Sequence, residues 1–411
     1  MINRRLFLKQ SGCALFTLGM TPLFIKRAIA DSVSPKNKKV VVLIIQRGAM
    51  DGLSMVPPIG EPFYYASRPT IAIPVNGNDC AIRIDSHFGL HPSLAALKPL
   101  WDEGSLAFVH QAGSPDHSRS HFDSQDFFES GTPGDKNTPD GFLNRSLVLS
   151  GSSTSPLRAV AMQPSMPRVL QGRFPAISMD SLQDFDFKPG NSAKEMQNFS
   201  DMYQQAVDQV FRGVGNEVFD SLKTVQNIRE KNKADNSAAY PGAAIGKRLH
   251  EIATLIKSNI GLEVAVTDMG GWDTHVNQGN GKGQLADRLR ELSTAIAAFR
   301  QDLGKLYENV CVVTVTEFGR TVKEDGTRGT DHGHGSVMMV LGGGVRGKQV
   351  YGKWKTLKTE NLFEGRDLPV TTDSRDVLAE VLRSQMGISD FTTIFPKYAI
   401  RPENLPGIMR G

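Results

Sequence analysis

Leu285-Ala286-Asp287-Arg288-Leu289-Arg290-Glu291-Leu292 opens the most periodic run in the chain, and Val310-Cys311-Val312-Val313-Thr314-Val315-Thr316 follows close behind it. Leu285, Leu289, Leu292, Ile296, Phe299, Leu303 and Leu306 recur at alternating intervals of four and three. That spacing sets all of them on one stripe of a helix, with Arg288, Arg290 and Glu291 outside it. The second segment is rich in β-branched residues and shows no polar alternation, as expected of a strand covered on both faces. A coiled coil would need the heptad to continue, whereas here a strand begins almost at once. A helix crossing over a sheet accounts for both segments.

The same grammar recurs on either side. Residues 40–45, 106–109, 262–267 and 337–341 read as strands, and residues 92–101, 122–129, 245–256 and 372–385 as helices. Leu249, Ile252 and Ile256 share one helical face, as do Val377, Val381 and Leu382 in the last helix, which Thr372 or Ser374 caps. These elements predict an α/β fold of three layers, a largely parallel or mixed sheet between helices. Residues 150–190 are rich in Ser, Pro and Gly, and about 192–235 turn polar and helical, which predicts a helical insertion within a single domain spanning 31–411. Gly342-Gly343-Gly344 lacks a phosphate-loop lysine and G-x-G-x-x-G spacing before a helix, so its nucleotide signal is weak. Cys311 reads as a small buried hydrophobe, and nothing near Cys80 requires a disulfide between them.

The first thirty residues read as an address. Arg4-Arg5-Leu6-Phe7-Leu8-Lys9 precedes a modest apolar run from Cys13 to Ile25, and Ala28-Ile29-Ala30 supplies a small-x-small cleavage step. This pattern resembles a twin-arginine signal peptide over residues 1–30, which predicts passage through the twin-arginine translocation machinery to the periplasm or the outer face of the cell envelope. Thr17, Gly19, Thr21 and Pro22 interrupt the run, which is too short for a permanent transmembrane segment. The chain has 47 basic and 43 acidic residues; the leader takes five basic and no acidic ones, leaving 42 against 43. Without a basic excess there is no electrostatic case for nucleic-acid binding.

Polar clusters stand beside the strand ends. Arg47 and Asp51 follow the first strand; Asp273 and His275 follow the strand at 262–267; Glu317 and Arg320 follow 310–316; and Asp331, His332 and His334 precede 337–341. Carboxylates and imidazoles are the usual ligands of divalent ions, and the pairs Asp273/His275 and His332/His334 can each turn two side chains to one side of an extended stretch. One or two divalent metal ions (Zn, Mn, Ca or Mg) are therefore expected on Asp51, Asp273, His275, Glu317, Asp331, His332 and His334. Arg47 and Arg320 suit an anion as bidentate donors. In His117-Ser118-Arg119-Ser120-His121-Phe122-Asp123 a loop enters a helix, where Ser118 or Ser120 would serve as nucleophile and His121 or His117 as ligand or acid.

Arg47-Gly48-x-x-Asp51-Gly52-Leu53, Arg119-Ser120-His121-Phe122-Asp123, Gly271-Trp272-Asp273-Thr274-His275, Thr316-Glu317-Phe318-Gly319-Arg320, Asp331-His332-Gly333-His334-Gly335 and Thr372-Asp373-Ser374-Arg375-Asp376-Val377-Leu378 together resemble domain-of-unknown-function family 1501. That family is similar to a divergent branch of the alkaline phosphatase and sulfatase superfamily, which implies an alkaline-phosphatase-like fold and metal-dependent hydrolysis of phosphate or sulfate esters. On this resemblance Ser120 or water attacks, with His121, Arg47 and Arg320 as the other catalytic groups. No Cys-x-Pro-x-Arg motif occurs, so a formylglycine sulfatase is not implied. The alternative expectation is a non-catalytic envelope protein that binds a small anionic or glycan ligand in the same cleft, or one that assembles with another exported protein.

Overall fold

A computed structural model describes residues 39–151, 156–183, 221, 224–228, 230 and 239–410. The expected signal peptide lies outside these residues, as does most of the expected insertion. The strands are β1 (Val40–Gln46), β2 (Ile82–Arg83), β3 (Gly89–Leu90), β4 (Leu106–Gly113), β5 (Ala159–Met162), β6 (Ile177–Met179), β7 (Val264–Met269), β8 (Val310–Val315), β9 (Ser336–Gly342), β10 (Gln349–Tyr351) and β11 (Thr372–Asp373). The main helices are α1 (His121–Ser130), α2 (Phe142–Ser150), α3 (Ala244–Lys257), α4 (Gln284–Leu303) and α5 (Ser374–Met386).

Among the described residues nine strands form one sheet in the order β10-β4-β9-β8-β1-β7-β5-β6, with β11 also pairing β4; β2 and β3 form a small antiparallel pair apart from it. β1 lies at the centre, parallel to β7 and β8, with Val41 opposite both Val264 and Cys311. β9 is antiparallel to both its neighbours, β4 and β8. The sheet is therefore mixed, and it is flanked by helices.

Both faces of β1 are covered, and its side chains divide by the two-residue period of a strand. Val40, Val42 and Ile44 join a core with Leu249 and Ile252 of α3 and the whole stripe of α4 from Leu285 to Phe299. Val41, Leu43 and Ile45 join the opposite core with Leu143 and Leu147 of α2 and Val377, Val381 and Leu382 of α5. Each such side chain contributes roughly 1.5–3 kcal/mol relative to exposure, which is why the unbroken apolar runs become the central strands. Cys311 is buried within β8, and both Cys80 and Cys311 are free. Val225 and Ile228, within the stretch expected to be an insertion, are buried against the first core.

The parallel arrangement brings the carboxyl ends of β1, β4, β7 and β8 to one edge, and the reversed β9 brings its amino end, Ser336, to that same edge. Open α/β sheets bind ligands beyond this edge. Among the described residues no helix is long and apolar enough to cross a membrane.

Candidate metal centre

The first ligand-bearing segment is the start of α1. Ser120 is its N-cap, with Oγ accepting from the backbone N–H of Asp123 at 3.5 Å, so the helix begins at His121. The ring of His121 stacks on Phe318, with centroids 4.9 Å apart. Its Nδ1 lies 2.8 Å from Oε1 of Glu317, at the end of β8. Burial alone would raise the Glu317 carboxyl, but hydrogen bonds from His121, Gln125 and the backbone N–H of Gly48 hold it at about 2. An ionised carboxylate only accepts, so Nδ1 of His121 carries the hydrogen. The same hydrogen bond raises the pKa of His121.

The second segment follows β7. Asp273 is held by Arg320, whose Nη2 lies 2.8 Å from Oδ1 in an ion pair. Burial would raise the Asp273 carboxyl, yet the Arg320 charge and the neighbouring imidazoles bring it below the usual range. Gly48 makes room for this turn: its φ is +118°, and a Cβ there would lie 2.9 Å from the backbone nitrogen of Asp273.

The third segment precedes β9. Nδ1 of His332 lies 2.8 Å from the carbonyl oxygen of Arg119 and so must donate to it. Burial lowers the pKa of this ring. Gly319 lets the segments close up, since a Cβ there would sit 1.8 Å from the carbonyl oxygen of Gly335.

These three segments aim their ligand atoms at one point. Nε2 of His332 lies 3.1 Å from Nε2 of His121, 3.0 Å from Nε2 of His275 and 3.2 Å from Oδ1 of Asp273. His275 Nε2 is also 2.9 Å from Asp273 Oδ1. The ligand atoms of His121, Asp273 and His332 all lie within 4.8 Å of one another. In their neutral forms the rings of His121 and His332 turn Nε2 lone pairs toward each other beside a carboxylate oxygen, a repulsion that a cation among them would relieve. Ligands about 2.0–2.1 Å from a tetrahedral ion stand about 3.3 Å apart, which these separations approach. Two of the imidazoles also have their second nitrogen held by a carboxylate or a carbonyl, as metal-ligating histidines do. The residues fit a divalent ion.

Other residues singled out in the sequence face elsewhere. Asp51 is buried against Arg68, whose Nη1 lies 2.6 Å from Oδ2 and Nη2 3.0 Å from Oδ1, and it also accepts from Ser54 and Gln278. Glu317 orients His121 from behind, and Asp331 reaches only Nδ1 of His275, at 3.3 Å. His334 stacks on Phe363 with centroids 4.3 Å apart and meets His117 edge-on, and burial lowers its pKa to about 4. Arg47 is paired with Glu129 and Asp268, both at 2.9 Å. Arg320 is buried; its Nε and Nη1 have no hydrogen-bond partner among the described residues. Ser118 Oγ accepts from the backbone N–H of Ser120. Arg68, Gln125 and Gln278 stood in no motif, and only their contacts reveal them.

The profile of a family described as "Protein of unknown function (DUF1501)" matches residues 103–395. The chain belongs to this family. The DUF1501 match takes in His121, Asp273, His275 and His332 together. Among solved structures, a mutant TAB5 alkaline phosphatase with Mg bound in its M3 site is similar to this DUF1501 chain at 13% identity. The likeness covers 74% of this chain and 91% of that one at a TM-score of 0.30, too loose to carry a functional assignment. Comparison with curated proteins gives no match.

Proposed function

We propose that this DUF1501 protein is an exported, metal-dependent hydrolase of phosphate or sulfate esters. The observation that carries the reading is the convergence of His121, His332 and Asp273 on one point, with His275 beside them. A divalent ion held by His121, Asp273 and His332 would supply Lewis-acid polarisation of the ester and would lower the pKa of water. The chain's own work is to hold that arrangement. Glu317 keeps the Nδ1 hydrogen of His121 in place, the Arg119 carbonyl does the same for His332, and Arg320 fixes the Asp273 carboxylate. Water would attack the ester, its proton passing to the departing ester oxygen, while Ser120 caps α1 through the backbone N–H of Asp123. Twin-arginine export, a cleaved leader at 1–30 and a single domain over 31–411 belong to the same proposal and rest on the Arg4-Arg5 and Ala28-Ile29-Ala30 pattern.

One observation favours a second reading. Arg47 is spent on Glu129 and Asp268, and Arg320 is buried with Nη2 on Asp273, so neither presents an open guanidinium to a substrate anion. A protein that holds a metal and an anionic or glycan ligand without turning it over would need no more than the cluster itself. Elemental analysis of the purified chain, with turnover of a panel of phosphate and sulfate esters before and after His332→Ala, separates the two. The hydrolase reading expects stoichiometric metal and turnover, both lost in the variant. Metal without turnover leaves the second reading; no metal in either protein removes both.

A further inference from the structure

The three imidazoles of the cluster are not held alike. His121 is anchored by the buried Glu317 carboxylate and by stacking on Phe318. His332 is anchored by a backbone carbonyl, and its own strand segment bridges to Arg320. Nδ1 of His275 lies 3.3 Å from Asp331, a carboxylate that is 62% exposed. So exposed a contact holds the ring only weakly. The His275 side chain is itself 39% exposed, against 25% for His121 and 24% for His332.

The backbone beneath His275 is fixed, however. Its carbonyl accepts from Oγ1 of Thr327 at 2.7 Å, and Gly329 packs so tightly that a Cβ there would stand 2.1 Å from the same oxygen. Whatever moves is therefore the imidazole, by rotation about its own side-chain bonds. Val276, the next residue, is 51% exposed, so this flank of the cluster faces water. Its Nε2 meets Asp273 Oδ1 at 2.9 Å and His332 Nε2 at 3.0 Å, so the ring reaches the cluster from its water-facing side.

We propose that His275 is the displaceable member of the cluster: it closes the centre when no substrate is present and swings outward to give its place to an oxyanion. The inference rests on the metal reading above. It supplies what the buried Arg320 and the paired Arg47 do not, an opening where an anionic group can enter, and it assigns the entry side to the flank of His275 and Val276.

The test uses the full chain loaded with zinc or cobalt. Metal affinity is measured by chelator competition for the wild type, His275→Ala, His275→Asn and His332→Ala, with circular dichroism confirming that each folds. Loss of His332 is expected to weaken metal binding more than about 100-fold, beyond what outer-shell changes cause, whereas loss of His275 weakens it less than about 10-fold. Inorganic phosphate should shift the cobalt absorption bands of His275→Ala at the same or lower concentration than in the wild type. A His275 variant that loses metal as severely as His332→Ala overturns the proposal while leaving the metal centre standing. So does a cobalt spectrum that phosphate leaves untouched in both proteins, or touches only in the wild type. A wild type that binds no ion overturns the proposal and the metal reading together.

Discussion

Oε1 of Glu317 lies 2.8 Å from Nδ1 of His121, and this contact ties the end of the central strand β8 to the first residue of α1. Glu317 also accepts from the backbone N–H of Gly48 at 2.8 Å and from Nε2 of Gln125 at 3.0 Å, so three chain segments meet on one carboxylate. It lies behind the ligand, where it sets the ring's tautomer and direction.

Glu317→Gln should therefore lower metal affinity by about 10–100-fold while leaving the ligands themselves in place. Chelator competition at neutral pH measures this. An affinity equal to that of the wild type would show that His121 needs no orienting partner.

Asp51 and Arg68 form a buried ion pair, and Asp51→Ala should cost about 3–5 kcal/mol, because it leaves the guanidinium buried without its partner. Burial would raise the Asp51 carboxyl, but Arg68, Ser54 and Gln278 bring it below its ordinary value. A carboxyl depressed in the folded state contributes stability that is fully present above its unfolded pKa of about 3.9 and is lost as pH falls through the folded value. Urea unfolding between neutral and acid pH should show the variant less stable at pH 7 and less steeply weakened below that unfolded value. Its metal content should be unchanged.

Ser120→Ala distinguishes a cap from a nucleophile. Loss of the cap should cost about 1 kcal/mol or less, given its 3.5 Å bond, and leave turnover within a few-fold of the wild type. Turnover abolished in a folded, metal-loaded variant would assign the attack to Ser120 instead.

Leu289 is fully buried on the stripe of α4 that packs against the sheet. Leu289→Ala should destabilise the fold by about 2–5 kcal/mol in urea unfolding, the usual range for a cavity of that size. Metal stoichiometry should survive in the population that remains folded.

The long-range order was legible wherever a period was strong. The α4 stripe and the runs of β1, β8 and β9 read directly, because burial on one or both faces leaves a mark at every position. β4 runs to Gly113, past the residue 109 read from sequence, because His110 and Gln111 are buried polar residues that break the apolar run; His110 is satisfied by the carbonyl of Val56. The last helix is capped by Asp373, between the two candidates Thr372 and Ser374. Residues 92–97 form a 3-10 turn ahead of the short helix Lys98–Asp102, a local tightening that apolar spacing does not encode.

At the site, residue types were legible and partnerships were not. His121, Asp273, His275 and His332 were named from their chemistry, and the structure brings them together. His334, two residues from His332, turns instead to Phe363 and His117, because an i, i+2 pair shares a face only where the backbone stays regularly extended. Nothing near Arg68 announces that it meets Asp51, seventeen residues earlier, since a buried charge finds its counter-ion through tertiary packing.

The reversal of β9 has a consequence for how such a centre can diversify. Because β8 ends and β9 begins at the same edge, residues 316–335 never leave that edge, and one connector contributes Glu317, Arg320, Asp331 and His332. A parallel successor to β8 would first have had to cross back to the opposite edge of the sheet. Because this rim lies outside the ladder, a change in its length would leave the pairing of β8 with β9, Cys311 opposite Gly342 through Thr314 opposite Met339, where it is.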